Sequence, residues 1–187
     1  MMQRRPRRAF IKSCLYEIAV TATPIYSFPP IATADSHTLI LGSMPGVLSL
    51  QRQQYYAHPR NAFWTIMGEL LAFDPQLPYE QRIAALTGAG IALWDVLQSC
   101  HRPGSLDADI AKETAVPNDF ARFFAKHPHI RRIFFNGATA EAMFLKRALP
   151  TLYGSGQFQM ARLPSTSPAH AGLSIKEKLL RWKTVAA

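Results

Sequence analysis

Two carboxamides and one carboxylate stand where side chains could act on a bound molecule. Asn61 lies in a polar stretch, residues 55–64 (YYAHPRNAFW), together with Tyr55, Tyr56, His58, Arg60, Phe63 and Trp64. Asn136 and Asp95 fall at the ends of apolar runs, IRRIFFNG at 130–137 and IALWDVL at 91–97. An amide takes no proton at neutral pH, so Asn61 or Asn136 would orient a water or donate to a ligand. A carboxylate ending an apolar strand must be paired, solvated or protonated. Each residue also has a structural reading. Asn61 precedes a helix pattern, where Asn is a favoured N-cap. Asn136 before Gly137 can simply form a turn, and Asp95 can receive backbone caps.

Three further clusters bear on the same question. The turn GSMPG (Gly42, Ser43, Met44, Pro45, Gly46) follows the apolar run Leu39-Ile40-Leu41. It lacks the Gly-Lys-Ser/Thr ending of a phosphate-binding loop and the three-glycine dinucleotide fingerprint. The stretch LPSTSPAHAG at 163–172 holds Ser165, Thr166, Ser167, Pro168, Ala169 and His170. It has no GxSxG elbow, and serines beside prolines are ordinary turn residues. Aromatic rings beside Arg60 and His58 offer a flat wall with cations alongside, the combination an extruded nucleobase requires. The alternative is that Phe63 and Trp64 belong to a helix core. No histidines and acids share one helix face at metal-ligand spacing, so neither a metal nor a cofactor is expected.

The elements that must position these residues alternate regularly. Strands are expected at 38–42, 91–97, 130–137 and 158–163. Helices are expected at 62–73, 79–86, 118–126, 138–149 and 173–185, with Ala142, Leu145 and Leu149 on the buried side of the fourth. Near-continuous apolar strands separated by helices imply a mostly parallel sheet between two helical layers, a three-layer α/β/α sandwich on four strands. The polar clusters all lie where a strand ends. Side chains leaving parallel strands at one sheet edge can converge on one ligand.

A chain of 187 residues, 48% hydrophobic and 18% charged, suits one globular domain. Net charge is +9, and a pI near 9.9 fits a polyanionic partner. Arg4, Arg5, Arg7, Arg8 and Lys12 crowd the first twelve positions without any acid, leaving a mildly basic remainder. Residues 1–30 are therefore read as a basic, disordered extension, and 31–187 as the catalytic domain. Arg7-Arg8 resembles a twin-arginine export signal, but Glu17 interrupts the apolar stretch behind it. Cys14 and Cys100 are too few for a four-cysteine cluster. A reducing, cytoplasmic setting follows, and no apolar run approaches the roughly twenty residues of a membrane span.

Taken together, LILGSMPGVLSL (39–50), QYYAHPRNAFW (54–64), LWDVLQSCHRPGSLD (93–107), FFNG (134–137) and LPSTSPAHA (163–171) resemble the uracil-DNA glycosylase superfamily. Within it the likeness is to the DNA-deoxyinosine (hypoxanthine-DNA) glycosylase branch. The resemblance implies an α/β/α sandwich and excision of a deaminated base, hypoxanthine or uracil, from double-stranded DNA by a monomer. It implies that Gly42, Ser43, Met44, Pro45 and Gly46, with Tyr56, His58, Phe63 and Asp95, form the base pocket. Asn61 and Asn136 take the catalytic positions. The loop holding Ser165, Thr166, Ser167, Pro168, Ala169 and His170 would press on the minor groove, with Arg60 and Arg102 as further DNA contacts. Where many relatives carry an acid or asparagine in the first motif, this chain has Ser43 and Met44. A conventional carboxylate base is therefore not evident, and hydrolysis must lean on departure of the base. No lysine is placed to form a Schiff base. A uracil/thymine mismatch specificity, a non-catalytic nucleic-acid binder and a nucleotide-binding regulator remain alternatives.

Overall fold

A computed structural model describes residues 23–152 and 158–186. The arginine-rich start and Cys14 lie outside them. The strands are β1 (Ile25–Tyr26), β2 (Thr38–Gly42), β3 (Ile91–Asp95), β4 (Leu97–Cys100), β5 (Val116–Pro117), β6 (Arg132–Asn136) and β7 (Gln159–Leu163). The helices are α1 (Val47–Arg52), α2 (Phe63–Leu71), α3 (Tyr79–Gly88), α4 (Phe120–Lys126), α5 (Ala138–Met143) and α6 (Ile175–Trp182).

Strands β2 and β3 are buried at every position, which is why they read as unbroken apolar runs rather than as alternation. Their side chains nevertheless divide between two faces. Leu39, Leu41, Trp94, Ile133 and Phe135 pack with Phe120, Phe123 and Phe124 of α4 and with Phe144. Ile40, Ile91, Leu93 and Phe134 pack with Phe63, Ile66 and Met67 of α2, Leu86 of α3 and Trp182 of α6. These two cores make the expected three layers. The four-stranded sheet runs β3-β2-β6-β7, and every pairing in it is parallel.

Register then decides where the polar residues emerge. Gly42 pairs opposite Asp95, and Asn136 opposite Leu163, so all four close the same sheet edge. The chain leaves β2 toward the α2 face and leaves β6 into α5 on the other face. Adjacent strands whose connections part in this way open a crevice at their carboxyl ends.

Four local readings need correction. The second strand ends at Asp95, and residues 97–100 instead pair antiparallel with β1 and β5 in a small separate sheet. Residues 25–30, assigned above to the extension, are held by that pairing and by Trp94 Nε1, which donates to the Phe28 carbonyl at 3.0 Å. The helix after β6 is α-helical only to Met143 and widens into a π turn at Phe144–Ala148. The wider turn shifts its phase, so Met143, Phe144 and Ala148 face inward while Ala142 and Leu145 are exposed. Finally, α1 is a helix that the pattern had not shown. Asp119 caps α4 by accepting the Arg122 N–H, and Ser174 with Glu177 forms a capping box on α6.

Candidate active site

At the carboxyl edge of the sheet lies a cavity of about 370 Å³, a size that suits a single small ligand. It is lined by the turn after β2 and the start of α1, the loop before α2, Asp95 and Asn136 at the ends of β3 and β6, residues 105–107, the start of α5 and residues 165–170.

Gly42 forms its floor. A Cβ on Gly42 would sit 2.4 Å from Asp95 Oδ1 and 3.1 Å from the Tyr56 hydroxyl oxygen. Only glycine lets the backbone approach these two groups so closely. Tyr56 adopts φ +54, a left-handed conformation that costs a tyrosine on the order of 1 kcal/mol or more. Its ring is held against Phe63 at 4.1 Å between centroids and 26° between planes. Phe63 itself is fully buried, so it backs the tyrosine and does not line the cavity. That corrects its placement as a pocket residue.

Asp95 is 3% exposed, and its Oδ2 makes no hydrogen bond. Burial first, then the charge of Asp107, pushes its carboxyl up to about 8, with Arg102 opposing. It is therefore neutral at pH 7. The buried Tyr56 hydroxyl likewise lacks a completed hydrogen bond. Burial and then Asp95 push its ionisation up, while the nearby Asn136 amide works the other way.

A clamp that sequence reading missed holds the first turn. Ser43 Oγ donates to the Asp107 carboxylate, 2.7 Å from each oxygen. Burial raises the Asp107 pKa, against the pull of that hydrogen bond, Arg102 and Thr139. Arg102, expected on DNA, has a side chain with no exposure and sits 3.6 Å from Asp107. It donates to the Pro45 and Gly104 carbonyls. Ser105 Oγ accepts the Val47 N–H at 2.9 Å. A fully desolvated guanidinium cannot reach a phosphate, so Arg102 is a brace for the turn.

The carboxamides are both engaged. Asn61 lines the cavity, and its Oδ1 accepts the Phe63 N–H at 3.0 Å just ahead of α2, whose N-cap position is taken by Ala62. Asn136 Nδ2 donates to Thr166 Oγ1 at 2.9 Å, and its Oδ1 accepts the Thr166 N–H at 2.8 Å. The Thr166 carbonyl in turn accepts the Ala62 N–H at 3.0 Å. Thr166 is 1% exposed. It is an internal tie, not the DNA contact expected of it. Ser165 packs against Gly137, and its Oγ accepts the Ser167 N–H at 3.2 Å. Ala169 and His170 form the exposed tip of this loop, with Pro168 half-buried behind them. Lys178 Nζ donates to the His170 carbonyl at 2.8 Å. His58 lines the cavity, and its Nδ1 accepts the N–H of exposed Arg60 at 3.1 Å.

The family model for the uracil DNA glycosylase superfamily matches residues 29–185. The hypoxanthine DNA glycosylase of Methanosarcina acetivorans is 35% identical over 159 residues, 84% of this chain and 95% of the relative. That of Methanosarcina barkeri is 38% identical over 111 residues, 59% of this chain and 69% of the relative. A solution NMR structure of a Methanosarcina acetivorans protein superposes with a TM-score of 0.71 at 31% identity, covering 88% of this chain and all of that one. With the sheet order, the cavity and these matches in agreement, the chain belongs to the uracil DNA glycosylase superfamily.

Proposed function

We propose that this DNA glycosylase removes hypoxanthine, and uracil as a second substrate, from double-stranded DNA. It acts as a monomer and leaves an uncut abasic site. The observation that carries the reading is the cavity at the sheet's carboxyl edge, where Asn61, Tyr56, Asp95 and Asn136 meet. The hypoxanthine DNA glycosylases it resembles support the choice of base.

The chemistry follows from what the walls offer. Ser43 has committed its hydroxyl hydrogen to Asp107, so it turns lone pairs outward and can only accept from a water. Asn61, with its Oδ1 already shared with α2, holds that water through its carboxamide and does not deprotonate it. Rate must come from stabilising the departing base. Among the described residues the cavity lining holds no lysine, which supports a reaction without a Schiff base and without strand cutting. Arg60, Ala169 and His170, exposed around the mouth, meet the duplex.

The test is a base-release panel on duplexes carrying deoxyinosine, deoxyuridine or thymine opposite guanine, with wild type and Asn61→Ala side by side. Hypoxanthine should be released fastest, with no nicking before alkali. Asn61→Ala should be slower by about a hundredfold while still binding DNA. Release of mismatched thymine alone would replace the specificity, and binding without any release would mark a non-catalytic relative.

A further inference from the structure

Departure of the base opens the reaction, but the water that then attacks the sugar must shed a proton. Neither asparagine can take it. Asp107 can. Its side chain is 37% exposed and lies on the cavity lining beside Ser43, so it is open to the site where Asp95 is enclosed. It reaches the first turn from 64 positions away and supplies a carboxylate where that turn has none of its own. Ser43 Oγ donates to it, 2.7 Å from each oxygen, and the fully buried Arg102 guanidinium backs it at 3.6 Å. A hydroxyl whose one hydrogen points at a carboxylate offers lone pairs on its other side. Both partners line the same cavity. A mere brace would need no such opening.

We propose that Ser43 and Asp107 form a proton relay for the hydrolytic water. This rests on the glycosylase reading and adds the proton acceptor which that reading leaves unnamed. As the bond from the base nitrogen to C1′ breaks, its electron pair leaves with the base. The water oxygen bonds to C1′ and keeps one hydrogen as the new hydroxyl. Its other proton moves onto Ser43 Oγ while the Ser43 proton passes to the Asp107 carboxylate. Asp107 then gives its proton up to solvent through its exposed face. The freed base takes one from solvent at the nitrogen that held the sugar. Ser43 is thus the catalytic residue that meets the water, and Asp107 acts through it. Asn61 orients the same water, so orientation and proton transfer fall to different segments.

The groups around Asp107 set the pH at which it is ready. Burial raises its pKa, while Ser43, Arg102 and Thr139 pull it down. Asp95 at the end of β3, Tyr56 in the loop before α2 and Cys100 at the end of β4 also face it. Asp95 is pushed up to about 8, and burial raises Tyr56 and Cys100 as well. Asp107 is therefore the acid among them that ionises first as pH rises. Once protonated it can accept nothing from Ser43, so the relay fails as pH falls through a pKa above the ordinary carboxylate range.

Single-turnover release of hypoxanthine, with enzyme saturating over a deoxyinosine duplex, reads the relay. In wild type the rate should fall about tenfold per pH unit on the acid side. Asp107→Asn and Ser43→Ala should each be about a hundredfold slower at pH 7 and flat across that limb. The double variant should be no slower than either single one, because the two residues act as a unit. Ser43→Thr keeps the hydroxyl and should recover most of the rate together with the acid limb. Circular dichroism confirms that each variant is folded. A clamp without proton transfer leaves the acid limb in every folded variant, so the limb separates the two roles. An Asp107→Asn with the wild-type acid limb, or a Ser43→Ala with the wild-type rate, overturns the proposal while leaving a working glycosylase. If Asp107→Asn does not fold, the contrast between Ser43→Ala and Ser43→Thr decides, and equal profiles in that pair refute the relay. Wild type that releases no base from any duplex would instead remove the reading of the whole site.

Discussion

The two sides of the cavity use their polar groups in opposite ways. On the β6–β7 side, Asn136 and Thr166 satisfy each other through two hydrogen bonds, and Thr166 passes a third to Ala62. On the β2–β3 side, Asp95 and Tyr56 each leave an oxygen unbonded. A closed network fixes positions, because every member has something to lose by moving. An open one bears its cost in the free protein and recovers it only with a ligand. The carboxamides, which the resemblance placed at the catalytic positions, thus include one that is tied into a closed network.

The sharpest way to break this contrast is at Gly42. Gly42→Ala places a methyl against both open groups and should slow base release by about 10²–10³. Because the atoms it meets are the ends of side chains and not backbone, the fold should survive. A loss of melting temperature matching the loss of activity would contradict that view. Asn136→Ala strikes the closed side and should do the reverse. It strands buried donors and acceptors of Thr166, so unfolding free energy should drop by about 1–3 kcal/mol in urea titration. Only a smaller effect on chemistry is expected.

A third prediction concerns pH and stability. The Asp95 carboxyl is raised from the ordinary carboxylate range to about 8 in the folded chain. Between these values the folded state holds a proton that the unfolded state has released. Stability therefore declines as pH rises from about 4 through about 8, by a few kcal/mol in all. Asp95→Asn removes that slope, so its advantage in melting temperature should grow up to about pH 8 and then level off. A constant offset would show that the carboxyl titrates normally. The smallest effect belongs to the rim. Arg60→Ala should weaken duplex binding a few-fold and reduce the salt slope by about one counterion, leaving the rate at saturating DNA unchanged.

Much of the framework could be read from residue order. Buried parallel strands announce themselves as apolar runs, and the clusters at 42–46, 55–64, 136–137 and 165–170 do meet at one edge. What escaped was long-range or counter to residue type. Asp107 lies 64 positions from Ser43, a separation that no periodicity reports. Arg102, in an Arg-Pro-Gly-Ser segment, has the look of a surface loop residue yet braces the turn from inside. Thr166 sits among serines and prolines that suggest an exposed loop, but its neighbours bury it. The widened turn after Met143 and the left-handed Tyr56 are answers to packing, set by Phe144 and Phe63, which local propensity does not encode.

The bond from the Ala62 amide to the Thr166 carbonyl has a mechanical corollary. The loop that would touch the duplex and the segment carrying Asn61 are latched at one point. The exposed tip at Ala169 and His170 is thereby anchored, through Thr166, one residue from Asn61.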